Sequence, residues 1–298
     1  MGKSTLDLKT VGECNRCLGC TTLHPQVTLI NLEKPGVQED AVKFEFYAIL
    51  LIEECADCSS CGRRYYDYAN ATMVFLKPGE VFSMSRRGTL PDHGWLLAFH
   101  PDLLSCTSLQ RDMANYTFFD YRKEEALHLS QRETETITCC LENIEDELHH
   151  AIDRHSATIL SRHIELMLDY CARYYERQFI TRENKNKAII ARFARMADEC
   201  ITSGRLHGGR MLSPSWFATD LGLSEAYFAD LLKFETGKTL AAYVQLRQME
   251  LAKRMLLDGG CTAVDVARRL GFASVQLFSS VFKRLTGVAP NDYRLANN

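Results

Sequence analysis

Two stretches decide how this chain is read: FATDLGLSEAYFADLLKFETGKTLAAYV, residues 217–244, and VARRLGFASVQLFSSVFKRLTGVAPNDYR, residues 266–294. Ala218, Leu221 and Gly222 return as Ala267, Leu270 and Gly271, 49 residues on. Phe228, Leu231, Lys233, Thr236, Gly237 and Tyr243 return as Phe278, Val281, Lys283, Thr286, Gly287 and Tyr293, 50 residues on. A repeat of this period implies one supersecondary unit used twice, with one residue inserted in the second copy.

Each unit is expected to be helix, tight turn, helix. Ser213 followed by Pro214 makes a helix start, and Thr262-x-x-Asp265 has the form of a capping box. Gly222 and Gly271 stand where a sharp turn needs positive φ. Ser224 can cap the helix that follows. Phe228, Leu231 and Leu232, and Phe278, Val281 and Phe282, are the predicted buried faces, and Gly237 and Gly287 the stops. This is the plan of a helix-turn-helix, whose second helix enters the major groove. An all-helical repeat that binds protein is the plainer alternative. Charge favours nucleic acid: residues 184–298 hold 16 Lys and Arg against 10 Asp and Glu, a balance of +6, while residues 1–183 balance at −9.

Roughly residues 185–296 resemble the double helix-turn-helix domain of the AraC-type (AraC/XylS) transcription regulators. LGLSEAYFADLLKFETGKT, the linking helix around YVQLRQMELAKRMLL and DVARRLGFASVQLFSSVFKRLTGVAPNDYR carry the likeness. The resemblance implies two recognition helices on successive major grooves, held apart by a linking helix from Leu240 to Leu257. Carried over by position, the first would present Ser224, Glu225, Ala226, Ala229, Asp230 and Lys233, and the second Ser274, Val275, Gln276, Ser279, Ser280 and Lys283. Gln276 is the best candidate for base readout, since an amide pairs bidentately with adenine; the lysines suit phosphates. Asp230 and Ser280 depart from the arginine frequent at these places in the family, so weaker or more shape-dependent binding is expected.

Residues 25–122 read as strands: VTLINL, KFEFYAILLIEE, RRYYDYANATMVFLKPGEVFSM and HGWLLAFHPDLL, broken at Pro35-Gly36, 57–62, Pro78-Gly79 and Pro91-Asp92. The expectation is an antiparallel β-barrel or jelly roll. TLHPQVTLINL, YYDYANATMVFLKPGEVF and GWLLAFHPDLL resemble the cupin-like effector domain of some AraC-type regulators, which implies a small-molecule effector. Metal-dependent cupins use a His-x-His pair. His93 and His100 stand alone, His100 reading as a turn residue, so an enzyme is not expected.

Residues 123–183 turn helical. Ser130-x-x-Glu133 is a capping box, and Ile137, Leu141, Ile144 and Leu148 make a seam; Ile159, Ile164, Met167, Leu168 and Cys171 mark a second helix. The resemblance implies a homodimer through this helix pair, although the pair could simply cover the barrel. QFITRENKNK, residues 178–187, reads as a linker. The expected fold class is α+β and multidomain, with a cupin-like effector domain at 1–122, a helical dimerisation segment at 123–183 and an all-α double helix-turn-helix at 184–298.

Six of the 12 cysteines fall in two C-x2-C-x2-C runs, CNRCLGC (Cys14, Cys17, Cys20) and CADCSSC (Cys55, Cys58, Cys61). Such spacing suits thiolate ligands of zinc or another thiophilic metal ion, or a reversible disulfide. The plain alternative is that the thiols decorate a flexible N-terminal arm and a hairpin tip. The other cysteines in helical patterns are expected to be small core residues. No signal peptide or membrane span is read, so a cytoplasmic chain with double-stranded DNA as partner is expected. A metal-dependent cupin-like enzyme and a thiol redox sensor without DNA affinity are the rivals from other classes.

Overall fold

The computed structural model describes residues 5–32, 41–53, 61–64, 67–82, 93–105, 107–203, 213–258 and 260–297. The chain divides into two compact units, Met1–Arg182 and Glu183–Asn298.

The first unit is built on two sheets. β2 (Val27–Asn31), β4 (Tyr47–Glu53), β5 (Ala71–Leu76), β7 (Gly94–Phe99) and β8 (Leu127–Leu129) form a five-stranded antiparallel sheet in the order β2-β7-β4-β5-β8. β1 (Thr5–Leu8), β3 (Ala41–Phe44) and β6 (Glu80–Phe82) form the smaller sheet, where β1 pairs with β3 in parallel. That pair departs from the all-antiparallel expectation. The single run KFEFYAILLIEE breaks at Glu45-Phe46 and serves both sheets, β3 in one and β4 in the other.

YAILLIE carries no alternation because β4 is the middle strand of its sheet and both of its faces are covered. Ala48, Leu50 and Ile52 join Val74, Leu76, Leu96 and Ala98 in a core closed by Val42, Phe44 and Phe82 of the small sheet. The opposite face meets aromatics from the single turns at residues 113–120: Phe75 lies 4.5 Å from Phe118 and 5.5 Å from Phe119, ring centre to ring centre. Gly94 is required by a close approach: its φ is +127°, and a Cβ there would come within 1.9 Å of the Leu51 carbonyl oxygen.

Two strand expectations fail at their ends. Arg63, Arg64 and residues 67–70 lie outside any strand, and HPDLL forms a single 3-10 turn, Pro101–Leu104, capped by His100 Nδ1 accepting from the Asp102 N–H. Proline at the first turn position and the neighbouring Asp direct that turn.

α3 (Gln131–Leu148) starts at the predicted box, with Ser130 and Glu133 exchanging hydrogen bonds, and buries Ile137, Leu141, Ile144 and Leu148. α4 (Ser156–Thr181) packs against α3 and β8. The expected linker at 178–187 is helical instead: α4 runs to Thr181 and α5 (Glu183–Thr202) starts two residues later. The stretch holds no Gly or Pro, and three of its polar residues, Gln178, Arg182 and Asn186, are buried rather than solvated. Gln178 accepts from the His128 N–H at 2.8 Å and donates to the Ala126 carbonyl at 3.0 Å. Arg182, between the helices, meets Asp67 with two hydrogen bonds of 2.8 and 2.7 Å, and both side chains are 1% exposed. Burial pushes the Asp67 carboxyl up, but the hydrogen bonds and charge of Arg182 outweigh it and hold the group below its ordinary value. Beside this pair, burial drives the His128 imidazole down to about 4, so it is neutral at pH 7; its Nδ1 meets Thr72 Oγ1 at 3.1 Å.

The second unit holds α5, α6 (Pro214–Leu221), α7 (Glu225–Thr236), α8 (Leu240–Leu257), α9 (Ala263–Arg269), α10 (Val275–Thr286) and α11 (Pro290–Asn297). Phe193 of α5 centres the first half, its ring 5.1 Å from Phe217, 5.1 Å from Phe228 and 5.0 Å from Tyr243. Phe278, Phe282, Leu270, Met249 and Leu256 centre the second half, with Tyr293 5.5 Å from Phe282. The repeated residues Phe228 and Phe278, and Tyr243 and Tyr293, thus do the same packing work twice.

Removing one partner of a buried ion pair leaves the other charged and desolvated, at a cost of about 3–5 kcal/mol. Asp67→Asn is therefore expected to lower the denaturant-derived stability of the full chain by about that amount at neutral pH. A change under about 1 kcal/mol, within the range of an exposed pair, would contradict this.

Candidate nucleic-acid interface

Both halves of the second unit carry the helix-turn-helix elements at the expected places. α6 ends at Gly222, φ +73°, and a Cβ there would meet nothing within 4 Å, so the requirement for glycine is conformational rather than steric. Ser224 Oγ then accepts from the Tyr227 N–H at 3.1 Å, starting α7. In the second copy Thr262 and Asp265 form the capping box of α9, and Ser274 Oγ accepts from the Leu277 N–H at 3.1 Å, starting α10. α8 ties the halves together: Arg247 Nε donates to Asp198 of α5 at 3.0 Å, and Gln248 donates to the Leu270 carbonyl at 2.9 Å.

On α7, Glu225, Ala229 and Lys233 are exposed, and Ala226 and Asp230 are half-buried. Ser224 corrects the sequence reading: it is 7% exposed and its hydroxyl caps the helix rather than facing outward. On α10, Ser274, Gln276, Ser280 and Lys283 are exposed, and Val275 and Ser279 are half-buried. The sequence reading missed Leu277 and Arg284. Leu277 is 48% exposed beside Gln276, although its counterpart Tyr227 is 1% exposed; Arg284 is exposed where the first copy has Phe234. The repeat alignment held this signal, since a leucine replaces a core tyrosine.

The first cysteine run departs from the plain expectation of a flexible arm: CNRC lies in α1 (Val11–Cys17), started by a box between Thr10 and Glu13. Asn15 anchors α1, donating to Thr22 Oγ1 at 3.0 Å and accepting from Thr28 Oγ1 at 2.6 Å. Cys14 is buried, and burial, followed by the nearby Cys17 and Cys20, pushes its thiol up to about 12. Cys17 and Cys20 are exposed, and Cys61 is buried. Cys14 and Cys61 belong to one apolar core. Cys55 and Cys58 lie outside the described residues. Among the described residues, no three His, Cys, Asp or Glu side chains gather into a group able to hold a metal ion. Cys140, Cys171 and Cys200 are buried and Cys261 is half-buried, while Cys139 is exposed.

The first unit has a cleft of about 490 Å³ beside the first cysteine run. Its lining includes Leu18, Cys20, Leu23, Ile30 and Leu32, with Glu145 and Leu148 of α3 and the C-cap residue His149. Between the two sheets the described residues pack as a core of buried side chains. No helix among the described residues is long and apolar enough to cross a membrane.

Residues 217–296 match the helix-turn-helix domain family. A Streptomyces lividans protein named as an AraC-like transcription regulator is 28% identical over 165 residues, which is 54% of this chain and 52% of that protein. The transcriptional regulatory protein YesN of Bacillus subtilis is 33% identical over 111 residues, 36% of this chain and 28% of its own. The HTH-type transcriptional regulator YobQ of the same organism is 36% identical over 69 residues, 23% of this chain and 29% of its own. The second unit therefore carries a helix-turn-helix domain, and the relatives it matches are named as transcription regulators, one of them as AraC-like. The chain spans about half, or less, of the length of the relatives it matches.

Proposed function

We propose that the chain is a sequence-specific, DNA-binding transcription regulator of the AraC type and not an enzyme. The observation that carries this reading is the duplicated helix-turn-helix, whose α10 faces outward with an amide, a leucine, hydroxyls and two cations. Phosphate contacts release counterions, so binding must weaken steeply with salt. The N-terminal unit, a cupin-like sensor in this reading, takes a small effector in the cleft beside Cys20 rather than between its sheets. The cysteine runs then act as thiols at that sensor, with no metal cage required. A homodimer in the cytoplasm completes the proposal. Its support is an outward stripe on α4, Ile159, Leu166 and Ile180 with Arg173 between them, each in the seven-residue register of a helix seam.

The full chain is expected to shift duplex DNA at low salt, with an affinity falling about tenfold or more between 50 and 200 mM salt. No shift at low salt would sink the regulator reading. In the same assay, treatment with N-ethylmaleimide is expected to change the affinity through Cys20, and Cys20→Ser to remove that response; equal responses in both chains would take the cleft out of the sensing path. Sedimentation of the full chain is expected to give twice the 33.9 kDa mass, and Leu166→Glu with Ile180→Glu to return it to one. A wild-type chain of single mass would remove the dimer.

A further inference from the structure

The two halves of the DNA-binding unit are copies in backbone but opposites in charge. Residues 213–237 hold Lys233 against Asp220, Glu225, Asp230 and Glu235, a balance of −3. The matching residues 262–287 hold Arg268, Arg269, Lys283 and Arg284 against Asp265, a balance of +3. Part of the first half's acidity is answered from α5, where Arg192 meets Asp220 at 2.7 Å. The outward positions remain unequal. Across equivalent places Glu225 faces Val275, Ala226 faces Gln276, Asp230 faces Ser280 and Phe234 faces Arg284. α7 thus offers two carboxylates, two methyl groups (Ala226 and Ala229) and one ammonium; α10 offers an amide, three hydroxyls, an exposed leucine and two cations.

From these surfaces we infer that each chain reads DNA with α10 alone, through Gln276, Leu277 and Ser280, and that α7 makes no base contact. The inference rests on the DNA-binding reading above. An amide suits adenine, an apolar side chain suits the thymine methyl, and a hydroxyl accepts either base edge. Lys283 and Arg284 follow about two turns after Gln276 and Leu277, placed for phosphates. Glu225 has a structural task in the first turn of α7, where a carboxylate stabilises its own helix N-terminus. α10 has no acid in its first turn, which leaves that terminus for a phosphate. If α7 entered a groove, Glu225 and Asp230 would stand among phosphates with methyl groups as their neighbours, and little there could choose a base.

The test is selection of a random duplex pool by the full chain, repeated with Gln276→Ala and with the double variant Glu225→Gln, Asp230→Asn. The expected result is that every enriched block is altered or lost in Gln276→Ala, with affinity for the original site down about tenfold or more. The α7 variant is expected to enrich the same sequence, with affinity within about threefold or tighter, since two carboxylates that would face a polyanion are neutralised. Copies of one block, as a homodimer would select, agree with the inference. Two unlike blocks about one helical turn apart, or any block changed by the α7 variant, would overturn it while leaving the regulator reading standing. No enrichment by the wild-type chain, with no shift at low salt, would overturn both.

Discussion

α8 packs the half-buried Tyr243 against one aromatic core and buries Met249, Ala252 and Leu256 in another, so a single helix of 18 residues belongs to both halves of the DNA-binding unit. A helix of that length spans about 27 Å, on the scale of one turn of duplex DNA. Neither half can settle its packing without α8, and the placement of α7 and α10 follows from which of its faces each core takes. Arg247 and Gln248 add polar fixings on either side, to α5 and to the end of α9. Two copies of one motif are thereby held as a rigid pair, while their outward residues remain free to differ.

That freedom has been used. The core positions of the repeat keep their aromatic and branched residues, because a cavity or an overpacked ring is costly there. The outward positions have separated in charge and size, and the separation is physical information about which copy approaches a polyanion. In the first unit the corresponding constraint is the Asp67–Arg182 pair. It sits at the last residue of that unit, two hydrogen bonds deep and shielded from water, with a neutral His128 alongside. A buried pair of this kind is poor evidence of stability and better evidence that one arrangement is being specified.

The helix-turn-helix halves were legible to the residue. Gly222, Ser224, Gly237, Thr262, Ser274 and Gly287 are local devices, and local devices act through the few residues beside them. The seam of α3 was legible for the same reason, through Ser130 and Glu133. What the sequence hid is long-range. QFITRENKNK looks solvated because its polar residues are read by type, yet Gln178, Arg182 and Asn186 are buried, the first two against partners distant in the chain. The parallel β1–β3 pair joins segments more than thirty residues apart and leaves no periodic mark. The plain alternative for CNRCLGC, a flexible arm, fails because the partners of Asn15, Thr22 and Thr28, dock its first turns as a helix. Leu277 was passed over because an apolar residue in a helix is first read as core.

The central claim is that α10 is the surface this chain applies to DNA. Hydrogen–deuterium exchange of the full chain, with and without a duplex it enriches, addresses that claim at the backbone itself. The account predicts slowed exchange across Ser274–Thr286 on adding the duplex and unchanged exchange across Glu225–Thr236. Unchanged exchange throughout α10, with protection falling on α7 or on the first unit instead, would contradict it.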